Sequence, residues 1–528
     1  MSWIKAVFCI LLLTFFVFPL LATAQSSRTR LAPGVKFMVK EIHVVGNTLL
    51  TQAEIDQALA PYEGREEDLT ALDAAAAALT KLYHEKGYAL AQAYVPPQTI
   101  SNGIARIAVI EGRVESIQVI GSKAYGAAFI RWFLQPGVKN GLLDYVAFEK
   151  ALMLLDEFPD LQVRSFLKPG SRPGTTDIVV AVVDKYPLHG QVDYNNFGNA
   201  FTGQNRGGLE AWDGDLTGRG DLLDLRGVIP FPSRESPFLQ GSYTIPINPS
   251  GTKLAVSYAN ADIKVGSALE VLDIRGTAQI YGLTASQPLL RTPQTSSDVT
   301  TSFYYKNVAD FVFTSFLTSK DKLRELAFGY DQRWTSAIAR DLFDATLTQG
   351  LGTWLGGMPK NDPYASRVGA DDTFTKLNGD YAHLMKVFGD DFLLLRGAGQ
   401  LAFNPLAITE QYSLGGPDTV RGYPQSYLLG DSGWNLSGEY RHPLTAAGSP
   451  DPLQAAAFFD TGYVTLRNPL VGETGKSHLT GAGVGLRAGF GANYNASLDL
   501  GFPLDPPIRL KGGGHQGPTL YGQFTAQF

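Results

Sequence analysis

From residue 188 to the C-terminus, the chain is a succession of short segments in which polar and apolar residues alternate. Segments 191–195, 253–258 and 496–500 are clear examples, and clusters of glycine, asparagine, aspartate and proline separate them. Alternation gives a strand one polar and one apolar face, and about ten residues cross a bilayer at a tilt. A soluble β-sandwich produces the same pattern, so the alternation alone predicts an all-β region of either kind.

Residues 1–24 have the pattern of a secretory signal peptide. Lys5 precedes an apolar run over residues 6–21, and Ala22-Thr23-Ala24 supplies the small residues of a cleavage site. The only cysteine, Cys9, lies in the apolar run, so the mature chain is predicted to contain neither a disulfide nor a thiol. We therefore predict an exported protein, with a retained membrane helix as the alternative.

The rest of the composition argues against several classes of protein. Without Lys5, 43 basic residues face 50 acidic ones, and a net charge of about −7 offers no basic surface to nucleic acid. No later run of eighteen apolar residues predicts a membrane-spanning helix, and the seven histidines lack a metal-binding spacing. Gly430-Asp431-Ser432-Gly433 spells the surroundings of a trypsin-like nucleophile without its histidine and aspartate context. We predict no enzyme, cofactor or metal site.

Before residue 186, helical and strand-like segments alternate in the order β-α-α-β-β, and this order occurs twice. The first copy, residues 37–112, contains a capping-box spacing between Thr51 and Glu54. Its predicted elements are a strand over 37–48, helices over 53–59 and 69–86, and strands over 88–95 and 104–110. The second copy, residues 113–185, has a strand over 114–120, helices over 126–134 and 145–158, and strands over 162–168 and 176–183. Two tandem α+β domains are predicted, and their composition leaves their role open.

Both copies resemble the POTRA (polypeptide-transport-associated) domains of two-partner secretion transporters. The resemblance rests on Gly46-Asn47-Thr48, 82–88, 95–98 and Glu111-Gly112 in the first copy, and on 134–137, 168–170 and 176–177 in the second. It implies periplasmic domains that capture an unfolded exported partner. An exposed strand edge can accept an extended chain as a further strand, and the sequence does not identify which edge does so.

The last strand favours a membrane barrel over a sandwich. In residues 520–528 the apolar Leu520, Phe524, Ala526 and Phe528 share one face, which is similar to the closing strand of bacterial outer-membrane barrels. Residues 186–528 are therefore predicted to form a transmembrane antiparallel β-barrel. The length permits 12 to 18 strands at about 21 residues each, and the family resemblance implies 16. We interpret the glycines of 481–485 as part of the barrel wall, because no helix comes after them as in a nucleotide-binding loop.

A glycine-rich stretch that ends in Val420-Arg421-Gly422-Tyr423 closely resembles the sixth extracellular loop of the same transporters, and residues 429–434 and 439–441 resemble the end of that loop and the next strand. In that family the loop folds back into the barrel, where its arginine meets an aspartate of the inner wall. By position these residues are Arg421 and Asp460, and a guanidinium fork suits a carboxylate. An ordinary exposed arginine is the alternative. The predicted loop-locking residues are Val420, Arg421, Gly422, Tyr423, Phe458, Asp460 and Gly462.

The resemblance implies an outer-membrane transporter that secretes a large polypeptide, of the adhesin or cytolysin type, through its pore. It places the barrel in the bacterial outer membrane and the POTRA domains in the periplasm. Outer-membrane lipids and, during biogenesis, the barrel-assembly machinery are its further expected partners. A barrel-assembly factor, which typically has more POTRA copies, and a passive porin, which needs none, are the alternatives.

Residues 25–36 form a short segment before the first strand. Many family members carry an N-terminal helix that plugs the pore and a long linker behind it. A dozen residues reach about 40 Å when fully extended, which is too short for both. We therefore predict that the plug helix is absent and that the sixth loop is the main obstruction.

Overall fold

The computed structural model describes residues 35–198, 203–231, 236–265, 272–313, 316–505 and 517–528. The described chain forms two compact units, one of residues 35–157 and 161–184 and one of residues 158–160 and 185–528. The predicted signal peptide lies outside the described residues, and so does the segment on which the absence of a plug helix was predicted, except for its last two residues. In the described part of the chain, no helix is long and apolar enough to cross a membrane.

The first unit contains the two predicted α+β copies. The elements of the first copy are β1 (Phe37–Val39), β2 (Glu41–Val45), α1 (Gln52–Leu59), β3 (Arg65–Glu67), α2 (Leu69–Glu85), β4 (Gln92–Tyr94) and β5 (Ile104–Ile110). Those of the second are β6 (Arg113–Ile120), α3 (Ala127–Leu134), β7 (Val138–Lys139), β8 (Leu142–Leu143), α4 (Tyr145–Asp156), β9 (Leu161–Pro169) and β10 (Thr175–Asp184).

The two copies share one sheet topology, as expected of a tandem repeat. In the first sheet β5 lies between a parallel β2 and an antiparallel β4. In the second, β10 lies between a parallel β6 and an antiparallel β9. Both helices of the first copy bury apolar side chains in its core, among them Ile55, Leu72 and Leu79, together with Ile107 of the central strand.

The match extends to the turn after the first long strand of each copy. Gly46 and Gly121 both have positive φ, of 91° and 88°. A β-carbon at either glycine would collide with a carbonyl oxygen of the central strand, on Val109 and Val182 respectively. Two residues beyond each of these valines, a carboxylate binds the turn: Glu111 accepts from the backbone of Thr48, and Asp184 accepts from three successive backbone amides. The repeat thus reuses one turn design.

Two strands of the first copy were predicted wrongly. The single strand expected over 37–48 breaks at Lys40, whose backbone amide donates to Gly103. As a result β1 pairs with β3, which the sequence did not predict, while β2 joins the main sheet. The strand expected over 88–95 is only Gln92–Tyr94. The capping box of Thr51 and Glu54 at the start of α1 is confirmed.

The second unit is a closed antiparallel barrel of sixteen strands, as predicted. Val192 of its first strand pairs with Ala526 of its last, and this pairing closes the barrel. Its strands are β11 (Leu188–Asn195), β12 (Asn205–Asp213), β13 (Leu222–Phe231), β14 (Phe238–Pro246), β15 (Lys253–Lys264), β16 (Arg275–Arg291), β17 (Thr295–Val312), β18 (Phe316–Thr335), β19 (Ala339–Gly350), β20 (Thr375–Lys386), β21 (Phe392–Ala402), β24 (Ser432–Pro443), β25 (Leu453–Thr465), β26 (Lys476–Phe490), β27 (Tyr494–Pro503) and β28 (Thr519–Gln527). Between β21 and β24, β22 (Tyr412–Leu414) and β23 (Leu428–Gly430) form a separate hairpin.

The two ends of the barrel differ in their connections. Residues 351–374 and 403–431 are long connections at one end, which we call the long-loop end, and the turns at the other end are shorter. Alternation along the strands separates the two faces of the wall. On β28, Leu520 and Phe524 are exposed on the outer face, as predicted, and Tyr521 is buried on the inner face.

Candidate functional site

The connection between β21 and β24, residues 403–431, folds back into the barrel. Its apolar side chains Leu414, Val420 and Tyr423 are buried against Val464 of β25 and Leu479 of β26. These contacts hold the connection against the inner wall. We call residues 403–431 the inserted loop. The predicted motif therefore lies inside the lumen instead of in solvent.

Arg421 meets Asp460 in the geometry that a guanidinium fork favours. Its Nε donates to Oδ2 of Asp460 at 2.7 Å and its Nη2 to Oδ1 at 2.9 Å. The backbone amide of Arg421 donates to the same carboxylate at 3.1 Å. Arg421 is 2% exposed and Asp460 is fully buried. A charge-assisted, bidentate pair of this kind fixes both position and orientation.

A second carboxylate, from Glu439 of β24, completes the surroundings of the guanidinium. Arg421 Nη1 donates to Oε2 of Glu439 at 2.5 Å. The hydroxyl of Ser437 donates to Asp460 at 2.7 Å, and the guanidinium lies 3.4 Å from the ring centre of Phe458. Two carboxylates beside one arginine would leave an excess of negative charge in the wall.

That excess is offset by two further arginines. Arg441 Nε donates to Glu439 at 2.7 Å, and Arg487 Nη2 donates to it at 3.0 Å. Arg487 also pairs with Asp499 at 2.7 Å. The network spans strands β24 to β27, so Arg421 is bound to wall carboxylates of which Glu439 is itself paired with further arginines. Removing one member of such a buried network leaves its partner desolvated and unpaired, which costs about 3–5 kcal/mol.

Glycines allow the loop backbone to approach the wall. Gly422 has φ of 107°, and a β-carbon there would lie 2.8 Å from the carbonyl carbon of Phe502. A β-carbon on Gly481 of β26 would collide with the carbonyl oxygen of Arg421. Gly462, the last residue of the predicted second motif, leaves space for Leu414 of the inserted loop. Gly481 is therefore a glycine of the barrel wall, as predicted, and a side chain there would displace the Arg421 carbonyl.

The closing strand also holds the loop. The hydroxyl of Tyr521 accepts from the backbone amide of Gly422 at 3.1 Å and donates to the carbonyl of Tyr423 at 2.5 Å. Thr519 donates to the carbonyl of Gly422 at 3.0 Å. The hydroxyl of Tyr423 in turn donates to the carbonyl of Thr480 on β26. Strands β26 and β28 thus bind one short stretch of loop beside the barrel seam.

The structure brings all seven predicted residues into one site, from Val420 to Tyr423 in the loop and Phe458, Asp460 and Gly462 on β25. The sequence prediction missed Ser437, Glu439 and Tyr521. Alternation would have identified the first two, because they share the inner face of β24 with Arg441. Alternation also places Tyr521 on the inner face of β28, with Gln523 and Thr525, but it does not predict the contact with the loop.

A second buried ion pair, between Arg367 and Asp431, lies nearer the long-loop end of the barrel. Asp431, from the tetrapeptide that imitates a protease motif, accepts from Arg367 Nη1 at 2.7 and 2.8 Å. Asp431 also accepts from the backbone amides of Leu406 and Arg467. Arg367 belongs to the connection 351–374 and Arg467 to the connection after β25. This carboxylate therefore joins three connections to one another and has no catalytic partners among these contacts.

Comparison with known proteins agrees with this architecture. The family model of the haemolysin secretion/activation protein ShlB/FhaC/HecB matches residues 174–488, and that of the ShlB-type POTRA domain matches residues 37–112. The heme/hemopexin transporter protein HuxB of Haemophilus influenzae (strain ATCC 51907 / DSM 11121 / KW20 / Rd) is 24% identical over 92% of this chain and 87% of its own. The outer membrane transporter CdiB of Escherichia coli O6:K15:H31 is 25% identical over 93% of this chain and 82% of its own. The solved structure of CdiB from Escherichia coli superimposes with a TM-score of 0.77 at 23% identity, covering 97% of this chain and 94% of the other.

The ShlB/FhaC/HecB family model covers more than half of the chain, and the relatives are matched over most of their own length. Two POTRA domains, a closed sixteen-strand barrel and these matches agree on location and role. The barrel lies in the outer membrane, the POTRA domains lie in the periplasm, and the protein secretes a polypeptide partner. The chain belongs to the ShlB/FhaC/HecB family of haemolysin secretion/activation proteins, the outer-membrane transporters of two-partner secretion.

Proposed function

We propose that the POTRA domains capture a large polypeptide of the adhesin or cytolysin type, and that Arg421 controls its passage through the barrel lumen. The observation that carries the proposal is the clamp of Asp460 and Glu439 on the Arg421 guanidinium. It ties a loop that occupies the lumen to the wall. A polypeptide that crosses the barrel must pass this loop or displace it.

Several features support a channel that works without catalysis. The family is one of secretion channels, and the relatives HuxB and CdiB are named as transporters. The polar groups described at the site are bound to one another, and among them no nucleophile lies beside a free base. In this proposal, folding of the partner outside the cell supplies the driving force.

The outer strands of the POTRA sheets provide the proposed capture surface. β2 and β4 lie at the edges of the first sheet, and β6 and β9 lie at the edges of the second. Each edge strand pairs on one side within its sheet, and a free edge can add an extended segment on the other. On β4 the amide of Ala93 is already bonded to Thr80, and on β6 the amide of Val114 is bonded to Gly141. Backbone pairing suits an unfolded partner, because it needs no single fixed sequence.

Secretion of the cognate partner by Arg421→Ala and Asp460→Ala variants tests the role of the clamp. We expect both to lower secretion strongly at equal amounts of inserted barrel, measured as partner in the medium and as heat-modifiable transporter in the membrane. Arg333→Ala is the matched control, because Arg333 is an exposed arginine at the short-turn end of β18. Normal export by both clamp variants would remove the proposed role.

We further propose that residues 1–24 are removed on export and that the domains divide at residues 37–112, 113–185 and 186–528. The barrel-assembly machinery would insert the barrel, and outer-membrane lipids would surround it. N-terminal sequencing of the mature protein tests the cleavage site. A mature chain that begins at Met1 would refute it.

A further inference from the structure

Three neighbouring strands project beyond the membrane at the long-loop end. β16, β17 and β18 contain 17, 18 and 20 residues, whereas about ten residues cross a bilayer in a tilted strand. In outer-membrane barrels the longer loops are extracellular and the periplasmic turns are short. The projecting ends of these strands therefore lie at the outer surface of the cell.

A row of tyrosines on the outer face marks the membrane boundary of this wall. Tyr258, Tyr281 and Tyr305 are adjacent in the cross-strand register of β15 to β17. Their ring centres are 4.9 and 6.1 Å apart in succession. On β18 the row continues with Arg324, whose guanidinium lies 3.4 Å from the ring centre of Tyr305. Aromatic rows of this kind lie at the interface between hydrocarbon and headgroups.

The rows on either side of the tyrosines differ in polarity. Toward the periplasm, the next outward-facing row is apolar and consists of Val256, Leu283, Phe303 and Leu326. Toward the outside, the next row is polar and consists of Asn260, Gln279, Asn307 and Lys322. Lys320 occupies the row beyond that one. Two lysines therefore lie just beyond the hydrocarbon, at the level of lipid headgroups.

The two lysines, together with Gln279 and Asn307, line a cavity of about 360 Å³ on the outer wall. Its polar lining consists of Thr277, Gln279, Asn307, Lys320, Lys322 and Arg324. Among the described residues that line it there is no carboxylate. Asp262 is on the same face but three strands from Lys320 in the register, about 14 Å at the usual strand spacing. The cavity thus concentrates positive charge and hydrogen-bond donors.

The connection 351–374 borders the same cavity with Leu355 and Gly356. Arg324 Nε donates to the carbonyl of Leu355 at 3.1 Å, which holds the connection against the outer wall. Trp354 stacks edge-on with Phe303 of the apolar row, at 5.7 Å between ring centres. Trp354 and Leu355 nevertheless remain more than half exposed. An exposed tryptophan and leucine beside the lipid-facing row suit the acyl region of a membrane lipid.

We propose that this cavity binds the phosphorylated headgroup of an outer-leaflet glycolipid of the lipid A class. Lys320 and Lys322 would pair with a phosphate, Gln279, Asn307 and Thr277 would bind sugar hydroxyls, and Leu355 would contact the first acyl carbons. Such a site would anchor the connection 351–374 to the membrane surface. The proposal does not depend on Arg421 or on the identity of the secreted partner.

The test is a titration of the full-length transporter, in nanodiscs of phosphatidylcholine, with lipid A that carries two phosphates. Native mass spectrometry measures the bound fraction. We expect Lys320→Gln/Lys322→Gln to weaken binding by about tenfold or more, because each cation near an anionic headgroup contributes about fivefold. Lys476→Gln is the matched control, since Lys476 is an exposed, outward-facing lysine at the same end of β26.

Two lipid comparisons on the unchanged protein complete the design. Dephosphorylated lipid A should bind wild type as weakly as intact lipid A binds the double variant. Phosphatidylglycerol should bind more weakly than lipid A. Unchanged affinity of the double variant, equal binding of dephosphorylated lipid A, or equal binding of phosphatidylglycerol would each overturn the proposal. If the double variant fails to form a heat-modifiable barrel, the lipid comparisons on wild type decide the matter.

Discussion

Several buried ion pairs hold the inserted loop, among them those of Glu410 with Lys306 and Lys376. The pairs of Arg421 and of Asp431 differ in what lies on the other side of the bond. Arg421 is bound by carboxylates of β24 and β25, which the barrel's backbone ladder fixes in place. Asp431 is bound by Arg367, which belongs to another connection. Both pairs are almost fully excluded from solvent. Their bond lengths are similar, so geometry alone does not distinguish their roles.

Because their partners differ, the loss of each pair should affect a different part of the protein. A pair with a rigid wall sets where the loop lies in the lumen. A pair between connections sets how the extracellular ends fit together, and it can be lost while the loop stays in the lumen. The wall pair should therefore govern the pore, and the loop pair should govern the order of the outer surface.

Arg421→Ala should give the largest effect on the pore. Loss of the guanidinium leaves Asp460 buried without its cation, at a cost of about 3–5 kcal/mol to the inserted state, whereas Glu439 keeps Arg441 and Arg487. Ion conductance of single barrels in planar bilayers should rise severalfold as the loop leaves the lumen. Arg421→Lys keeps the charge but not the fork and should fall between Ala and wild type. Wild-type conductance in Arg421→Ala would show that the pair with the wall controls the pore no more than the pair of Arg367 and Asp431 does.

Gly481→Val should come next, because it displaces the loop without touching any charge. The added side chain would occupy the position of the Arg421 carbonyl, and overpacking of this kind costs about 3 kcal/mol. Conductance should rise while the barrel remains heat-modifiable. Gly379→Ala on β20 is the control, since its β-carbon would have 3.8 Å to the nearest atom. Equal behaviour of the two variants would show that the wall does not need a glycine at 481.

The two pairs also differ in how far the sequence predicts them. Arg421 and Asp460 lie in two motifs that a family resemblance places in contact. Arg367 and Asp431 are 64 residues apart, and Arg367 lies in a connection with no regular pattern. Asp431 was assigned only to a false protease signature. Long connections fold by contacts with one another, and neither strand alternation nor turn residues encode those contacts.

In the fold as well, the features that the sequence predicted correctly depend on local signals, and those that it predicted wrongly depend on long-range contacts. Alternation, the terminal Phe528 and the helix cap at Thr51 are local signals, and the strands and helix that they predicted are present. The break at Lys40 depends on pairing with β3, which is only three residues long and charged. Glu439 was within a recognised segment, but its role requires knowing which face of β24 points inward. The local sequence pattern therefore predicts the helices and strands, whereas the places where a strand breaks or a side chain binds depend on tertiary contacts.

Arg367→Ala should have a smaller effect on the pore and a distinct effect on the outer surface. Asp431 would keep its two backbone donors, so the expected cost lies at the low end of about 3–5 kcal/mol for a buried charge that loses its partner. Hydrogen exchange should accelerate in residues 351–374 and 466–475, while residues 420–423 remain protected. Arg421→Ala should produce the opposite distribution. Faster exchange at 420–423 in Arg367→Ala would mean that the two pairs act as one unit.

Tyr521→Phe should have the smallest effect, and it tests whether the wall acts through charge or through any contact with the loop. The change removes one hydroxyl that bonds to Gly422 and Tyr423, at about 1 kcal/mol for each hydrogen bond. The ring would still fill its place on the inner face of β28. Because Arg421 keeps both carboxylates, conductance should rise only slightly and secretion should stay near wild type. An effect as large as that of Arg421→Ala would show that contacts at the barrel seam, and not the charge network, hold the loop in the lumen.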